Sequence, residues 1–525
     1  MLITNPGWRF PGQSDTVRLA IVLIAACAQA ASAGWPFDDL FTLGGTCWWL
    51  QILSMAVAVA ALHQRASGTH SHFIMWMFAT VWLTATFWWL YVAMNTYGGL
   101  SATLSLVGLV ALAAALAAYY AGAVWLWRKV SLGRQGAVPL SGWPAALSFG
   151  ALWGMAEMAR GTWLTGFGWG AIGYAHLNGP LALFLPWVGA YGVSILAAAC
   201  AAAIGIAFVE KHWRLALGSV ALLVVAALIP AHWNEWTTPT TTLRVTLLQG
   251  NIPQNEKFET GSGVPVALDW YREALNLSTG DLVVAPETAI PVLPQELPAG
   301  YWTALTARFS QGEQAALIGI PLGSYKAGYT NSVIGITPSE GLVLRYDKHH
   351  LVPFGEFIPP MFRWFTDMMY IPLGDFNRGP LGQPSLNVLG ERVAPNICYE
   401  DLYGEELATR FTDPAQAPTM FANVSNMGWF GGTVALQQHL NISRVRALEF
   451  QRPFVRATNT GATAILSHQG LVLAELPPLT RGVLHGEVQG RSGITPFAWW
   501  ASRFGLWPLW VFGLAIVAWA WRRAR

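Results

Sequence analysis

The chain has 525 residues, 54% hydrophobic and only 11% charged, against roughly 25% charged in soluble globular domains. That balance excludes an ordinary soluble protein and implies an integral membrane protein, with 28 Trp suited to the water–lipid interface. A net charge of +2 offers no basic field for nucleic acid, so the aromatic residues read as membrane anchoring and core rather than as a platform for stacked bases.

Apolar runs near the roughly 20 residues a membrane span needs fall at about 16–34, 44–63, 73–95, 101–127, 142–160, 181–208 and 213–231, with an isolated one at 503–521. This predicts about eight transmembrane helices: seven in residues 1–235 and one in 491–525. Arg9 and Arg18 flank the first run in the manner of a signal peptide. No convincing small-residue cleavage site precedes a soluble domain, however, and another span follows at once, so it is read as a span. Lys and Arg concentrate in cytoplasmic loops. Here they follow the second span (Arg65), the fourth (Arg128, Lys129, Arg134), the sixth (Lys211, Arg214) and the last (Arg522, Arg523, Arg525), whereas the first opposite loop carries Asp38 and Asp39. Both termini are therefore expected in the cytoplasm and the long insert before the last span outside it. Glu157 and Arg160, three residues apart within the fifth span, read as a structural ion pair or as a contact for a phospholipid head group, since intramembrane charges are costly and usually paired.

Residues 236–490 have globular composition. "LRVTLLQGN", "DLVVAPET", "AALIGIPL", "RVAPNICYE" and "TMFANVSN" read as buried strands, and 264–277 and 436–452 as helices. Strands alternating with helices predict a layered α/β domain, long enough to bury its own core.

Reactive side chains stand at three strand ends in this insert. Glu287 follows the apolar strand of "VVAPETAIP"; Lys348 opens "KHHLVPFGEFIP", with Glu356 eight residues on; Cys398 ends the strand of "APNICYEDL", with Glu400 two residues later. Residues two apart on a strand share a face, which would put Glu400 beside the Cys398 sulfur if the strand continues. Taken singly, each has a bland reading: a solvated carboxylate, a surface ammonium, a buried thiol. Together they suit attack on an ester or amide carbonyl, because a thiol needs a base and a cation to act as thiolate and the oxyanion needs a donor. The other cysteines, Cys27, Cys47 and Cys200, lie in or beside apolar runs, where Cys usually behaves as a small hydrophobe. His349 and His350 are adjacent and His439 lies on a predicted helix; none has metal-ligand spacing, and neither metal nor cofactor is expected.

The three segments, in this order, resemble the nitrilase superfamily, whose members carry a Glu–Lys–Cys triad on an αββα sandwich. "TLLQGNIPQNEKF", "APETAIP", "YDKHHLVPFGEFIP", "NICYEDLYGEE", "NVSNMGWFGG", "RVRALEFQRPFVRATNTG" and the membrane segment "EMARGTWLTGFGWGAIGYAHLNGP" look like the apolipoprotein N-acyltransferase family over nearly the whole chain. The resemblance implies a bacterial inner-membrane enzyme, monomeric, with a periplasmic catalytic domain. Glu287 would be general base, Lys348 oxyanion partner and Cys398 nucleophile. Glu356, Tyr399 and Glu400 would support them, and Phe258 and Trp429 would meet substrate. The implied reaction passes an acyl chain from a phospholipid, commonly phosphatidylethanolamine, to the α-amine of a diacylglyceryl-modified cysteine. Phe258 stands where the family often has Trp, Gly168 where it usually has Pro, and Met427 where it usually has Asp; these departures bear on lipid fit rather than on the chemistry. Two other readings compete: a membrane-tethered amide or nitrile hydrolase, which the triad alone permits, and a transporter with an outer binding domain. The transporter would need polar residues and broken helices at mid-membrane, whereas these spans are mostly Ala, Leu, Val and Trp.

Overall fold

The computed structural model describes residues 15–37, 42–63, 71–132, 140–359 and 375–524. Arg9, Asp38, Asp39, Arg65, Arg134, Trp364 and Arg525 lie outside these residues. The chain forms two units: Met1–Trp88, Leu106–Asn234 and Leu506–Arg525 in one, Trp89–Ser105 and Glu235–Gly505 in the other.

The first unit is helical: α1 Asp15–Ala33, α2 Trp48–His63, α3 Ser71–Thr86, α4 Ala102–Leu132, α5 Gly142–Thr162, α6 Leu185–Glu210, α7 Trp213–Leu228 and a C-terminal helix Trp507–Arg523. Eight separate spans were expected; the described helices support fewer by length and apolarity. Ala102–Ser131 and Pro180–Glu210 qualify outright. Ser71–Thr86 with Leu90–Tyr97, and Pro496–Phe504 with Trp507–Arg523, qualify only if each bent pair is one broken span. Leu19–Ala33, Trp48–His63 and Trp213–Leu228 are apolar but shorter. A helix the length of α2 or α7 is about 24 Å long against a hydrocarbon core of about 30 Å, a difference that continuous hydropathy in the sequence does not reveal.

Helices α5 and α6 approach closely because small residues face each other. A Cβ on Gly150 would lie 2.6 Å from the Ile195 carbonyl oxygen, and one on Gly154 2.2 Å from the Ile195 side chain. Glu157 and Arg160 are both buried on α5, yet they do not pair as the sequence suggested. Arg160 donates to the Tyr120 hydroxyl at 2.9 Å and to the carbonyls of Phe167 and Trp169 at 2.6 and 2.7 Å. Glu157 accepts from the Trp153 indole at 3.1 Å and from Ile172 N–H at 2.9 Å. Each charge therefore holds the non-helical stretch after α5, whose backbone groups would otherwise lack partners.

The second unit contains two six-stranded sheets, ordered β12-β1-β2-β3-β4-β5 and β11-β10-β9-β8-β7-β6. In the first, β1 (Thr237–Gln249), β2 (Leu282–Ala285) and β3 (Ala315–Ser324) are parallel, with β4 (Gly328–Thr337), β5 (Gly341–Asp347) and β12 (Gly482–Gly493) antiparallel to their neighbours. In the second, β7 (Glu391–Ile397), β8 (Met420–Ser425) and β9 (Phe454–Thr458) are parallel, flanked by β6 (Leu386–Val388), β10 (Ala464–Leu466) and β11 (Val472–Glu475). Residue alternation assigns the layers. Leu282 and Val284 enter the core between the sheets with Val393, Ile397, Ala422 and Val424. Val283 and Ala285 face outward onto α8 (Gly263–Leu277) and α9 (Tyr301–Ser310). Ala394 and Phe421 likewise pack on α10 (Ala435–Phe450) and α11 (Pro496–Phe504). The result is the helix–sheet–sheet–helix sandwich expected from the sequence. The expected boundary at 490 falls inside β12, and α11 extends the unit to Gly505.

Candidate active site

The parallel strands end at one edge of the sandwich, where such sheets place their ligands. Glu287 lies two residues past β2, Lys348 directly after β5, Cys398 directly after β7 and Asn426 directly after β8. Apolar alternation sets the strands; the first polar residue beyond each is free to turn into the edge.

There Lys348 Nζ donates to Glu287 Oε1 at 3.2 Å and to Glu356 Oε1 at 2.9 Å. Asn331 Nδ2, from β4, bridges the same two carboxylates at 2.6 and 2.7 Å. Asn426 N–H donates to Glu287 Oε2 at 2.7 Å, and Val352 N–H to Glu356 Oε2 at 2.8 Å. All three charged groups are buried, Lys348 at 1% exposure. Burial opposes the charged form of Lys348, but Glu287 and then Glu356 outweigh it and hold the ammonium above its ordinary range. Burial first, then Glu287, pushes the Cys398 thiol up, while Lys348 and the Asn426 N–H act the other way. The balance favours the thiol over the thiolate at a residue that is itself half-buried.

Cys398 has φ +53°, a left-handed conformation costly for a side-chain-bearing residue. Its carbonyl is clamped by Asn423 Nδ2 and His439 Nε2, both at 3.1 Å. Arg456 Nη2 donates to His439 Nδ1 at 2.9 Å, which fixes the neutral tautomer whose Nε2–H faces Cys398. Burial and then Arg456 hold His439 well below its usual range, and Asp401 pairs with Arg456 at 3.1 Å. His439 was set aside as a metal ligand in the sequence, and it lies on a helix as predicted. Its contact with the Cys398 carbonyl had no sequence signal.

Glu400 does not sit beside the sulfur. Strand β7 stops at Ile397 and a 3₁₀ turn runs over Cys398–Leu402, so the two-residue rule no longer applies. Glu400 instead accepts from Tyr346 OH, Ile397 N–H and His349 N–H, each at 2.7 Å. Tyr399 turns into a buried aromatic group, accepting from Tyr403 OH at 2.6 Å and packing edge-on against His350. Both brace the strand ends that carry Lys348 and Cys398. Trp429 and Phe430 lie on a short 3₁₀ turn past β8, half-buried, where Trp429 meets Tyr97 edge-on at 6.1 Å and Phe430 meets Trp89 at 4.5 Å. Phe258 is half-buried beside the ammonium of Lys257. A carboxylate, an ammonium and a thiol gathered so suit nucleophilic acyl transfer.

Residues 39–203 match the apolipoprotein N-acyltransferase N-terminal domain, and residues 244–495 match carbon-nitrogen hydrolase. An apolipoprotein N-acyltransferase of Verminephrobacter eiseniae is 50% identical, with 97% of each chain covered. One of Ralstonia nicotianae is 43% identical over 94% of each chain; one of Pseudomonas putida is 35% identical over 99% of this chain and 97% of its own. The chain belongs to the apolipoprotein N-acyltransferase family. Asn331, Asn423 and Asn426 went unnoticed in the sequence because a single Asn on a strand or just past one reads as a polar core residue. Lys257 was quoted only as part of a motif. Its Nζ is buried and donates to the Glu287 main-chain oxygen at 3.0 Å. Of the departures from the family pattern, Met427 is buried at the start of the Trp429 turn, and the Gly168 carbonyl lies 3.5 Å from Arg160 Nη2.

Proposed function

We propose that the chain transfers an acyl group from a phospholipid, commonly phosphatidylethanolamine, to the α-amine of a diacylglyceryl-modified cysteine at an apolipoprotein N-terminus, through a thioester on Cys398. The observation that carries this is the Lys348 ammonium shared between Glu287 and Glu356 at the edge where Cys398 follows β7, in a chain whose relatives over nearly their whole length are N-acyltransferases.

Glu287 takes the thiol proton as Sγ attacks the ester carbonyl. The oxyanion that forms is met by Lys348. The intermediate collapses with loss of the lyso-lipid oxygen, which recovers the proton from Glu287. In the second half the neutral amine attacks the thioester, Glu287 accepts its proton, and the thiol is regenerated. Glu356 keeps Lys348 charged and aimed. A thioester that waits for a second substrate must be kept from water, and the half-buried rings of Phe354, Phe357, Trp429 and Phe430 suit that task. Both substrates keep acyl chains in the bilayer, and a site tethered there avoids extracting them at about 0.8 kcal/mol per CH₂.

The topology that fits is a bacterial inner-membrane protein with about eight spans, a periplasmic catalytic unit, both termini cytoplasmic, and a monomeric chain. The alternative, a membrane-tethered amidase, differs in what resolves the thioester. Purified protein is mixed with phospholipid and a diacylated lipopeptide, and the peptide mass is followed. Gain of one acyl chain is expected; consumption of a small soluble amide with no lipopeptide modification would favour the amidase. Incubation with phospholipid alone should add one acyl mass to the Cys398 peptide, removable by neutral hydroxylamine, and Cys398→Ala should abolish both steps.

A further inference from the structure

Lys257 stands in the loop after β1, with its main-chain N–H bonded to Pro253 O at 2.9 Å. Its side chain is fully buried, and its one side-chain hydrogen bond among the described residues runs to the Glu287 carbonyl oxygen at 3.0 Å. It joins no salt bridge among the described residues. Burying an ammonium without a direct carboxylate is costly, so a structural role alone is a poor account of a position where Met or Leu would fill the same space. What Lys257 touches is the peptide that carries the proposed base, just before Thr288, whose φ is +47°.

The charges make a second point. Glu287 and Glu356 bring two negative charges and Lys348 one positive charge. Lys257, in the field of Glu287 and Cys398, brings the second positive charge and makes the cluster neutral. When the thiol proton moves to Glu287, the negative charge moves to sulfur and the sum is unchanged. Without Lys257 that sum is −1, and the thiolate must form beside Glu356 with Lys348 as its sole cation.

We propose that Lys257 is a positioning residue for thioester formation, fixing the Glu287 main chain through its ammonium and supplying the positive charge that keeps the buried cluster neutral as the proton leaves Cys398. This rests on Cys398 being the acyl carrier. Burial lowers Lys257 to about 7, with Glu287 and then Cys398 opposing. The titratable groups facing it are Glu287 and Cys398, with Lys348 and Glu356 joined to them; Glu256 and Glu259 of its own loop reach solvent. Because Lys348 and Cys398 are both held high, loss of a proton near neutrality falls on Lys257, and thioester formation should decline as pH rises through that range.

The test uses the full-length enzyme with phospholipid and no acceptor, scoring acylation of the Cys398 peptide in a single turnover between about pH 5.5 and 9.5. The wild type should lose rate on the alkaline side with a midpoint near 7. Lys257→Met should be slower by about 10²-fold at low pH and lack that limb. Lys257→Arg, which stays charged, should recover part of the rate and hold it into the alkaline range. Lys257→Met acylating at the wild-type rate, or an alkaline limb unchanged in both variants, overturns the proposal. If Lys257→Met does not fold, the wild-type profile and Lys257→Arg decide it. Cys398→Ala is run in parallel: acyl transfer persisting there refutes the thioester reading itself, whereas a wild-type thioester indifferent to Lys257 refutes only the role given to Lys257.

Discussion

Two carboxylates share one ammonium in this site, and Asn331 is what lets them lie so close. Its amide donates to both Glu287 and Glu356, adding favourable contacts where like charges would repel. Asn331→Asp is nearly isosteric but replaces the donor with a third carboxylate. Turnover at neutral pH should fall by about 10²–10³-fold and recover partly as pH is lowered, because a protonated carboxyl regains the lost donor. A pH–rate profile with no acid recovery would mean that Asn331 acts through packing alone. The oxyanion role proposed for Lys348 has its own test. A guanidinium presents a planar fork where Lys348 offers a compact charge, so Lys348→Arg and Lys348→Ala should each lose about 10²–10³-fold in rate with the fold intact by thermal melting; near-normal turnover in Lys348→Arg would show that any positive charge suffices. At Lys257 the folded state holds the proton less tightly than the unfolded chain does, since burial lowers it to about 7. The unfolded state then binds more protons above that point, so this residue's contribution to stability rises with pH over the same range in which activity falls. The difference in melting temperature between Lys257→Met and wild type should shift accordingly between about pH 6 and 9.

At the scale of elements, the site depends on strands that stop on time. Strand β2 must pass very close to β3 just where Glu287 leaves it, and Gly319 permits this. A Cβ there would lie 2.2 Å from the Pro286 carbonyl oxygen and 2.8 Å from Glu287 Cα. Gly319→Ala should displace the Glu287 main chain, lowering stability by about 1–3 kcal/mol and thioester formation by more than that loss explains. A variant with wild-type single-turnover kinetics would show that β2 moves aside without carrying Glu287 with it. Apolar alternation made the strands legible in the sequence, and Glu287, Lys348 and Cys398 could be singled out as the first reactive residues past them. Where β7 ended was not legible. Its stop at Ile397 follows from the Glu400 carboxylate, which caps Ile397 N–H three residues back and is held there by His349 N–H from a segment distant in the chain, and this is why Glu400 braces the site instead of facing the sulfur.

On the scale of the whole molecule, the segment Trp89–Ser105 belongs with the catalytic unit although it is flanked in sequence by apolar helices. Trp89 is buried, donates its indole N–H to Gln438 at 3.1 Å and meets Phe430 edge-on. Trp89→Ala should loosen the turn bearing Trp429 and Phe430, read as faster hydrogen exchange over residues 427–433; unchanged exchange there would show that the turn holds itself. The orientation inferred from charge bias predicts that a reporter active only outside the cytoplasm works when fused near Gly261 and fails after Arg525, and activity at the C-terminus would mean a miscounted span. Composition and periodicity were enough to establish a membrane protein with an α/β insert and three reactive strand ends, because hydrophobic burial is set by local spacing along the chain. Span lengths, the strain at Cys398, and the gathering of Asn331, Asn426, His439 and Lys257 around the reactive groups were decided only in three dimensions. The clamp on Cys398 and the gathered side chains depend on hydrogen bonds and charges between residues distant in sequence, whose partners no local pattern records.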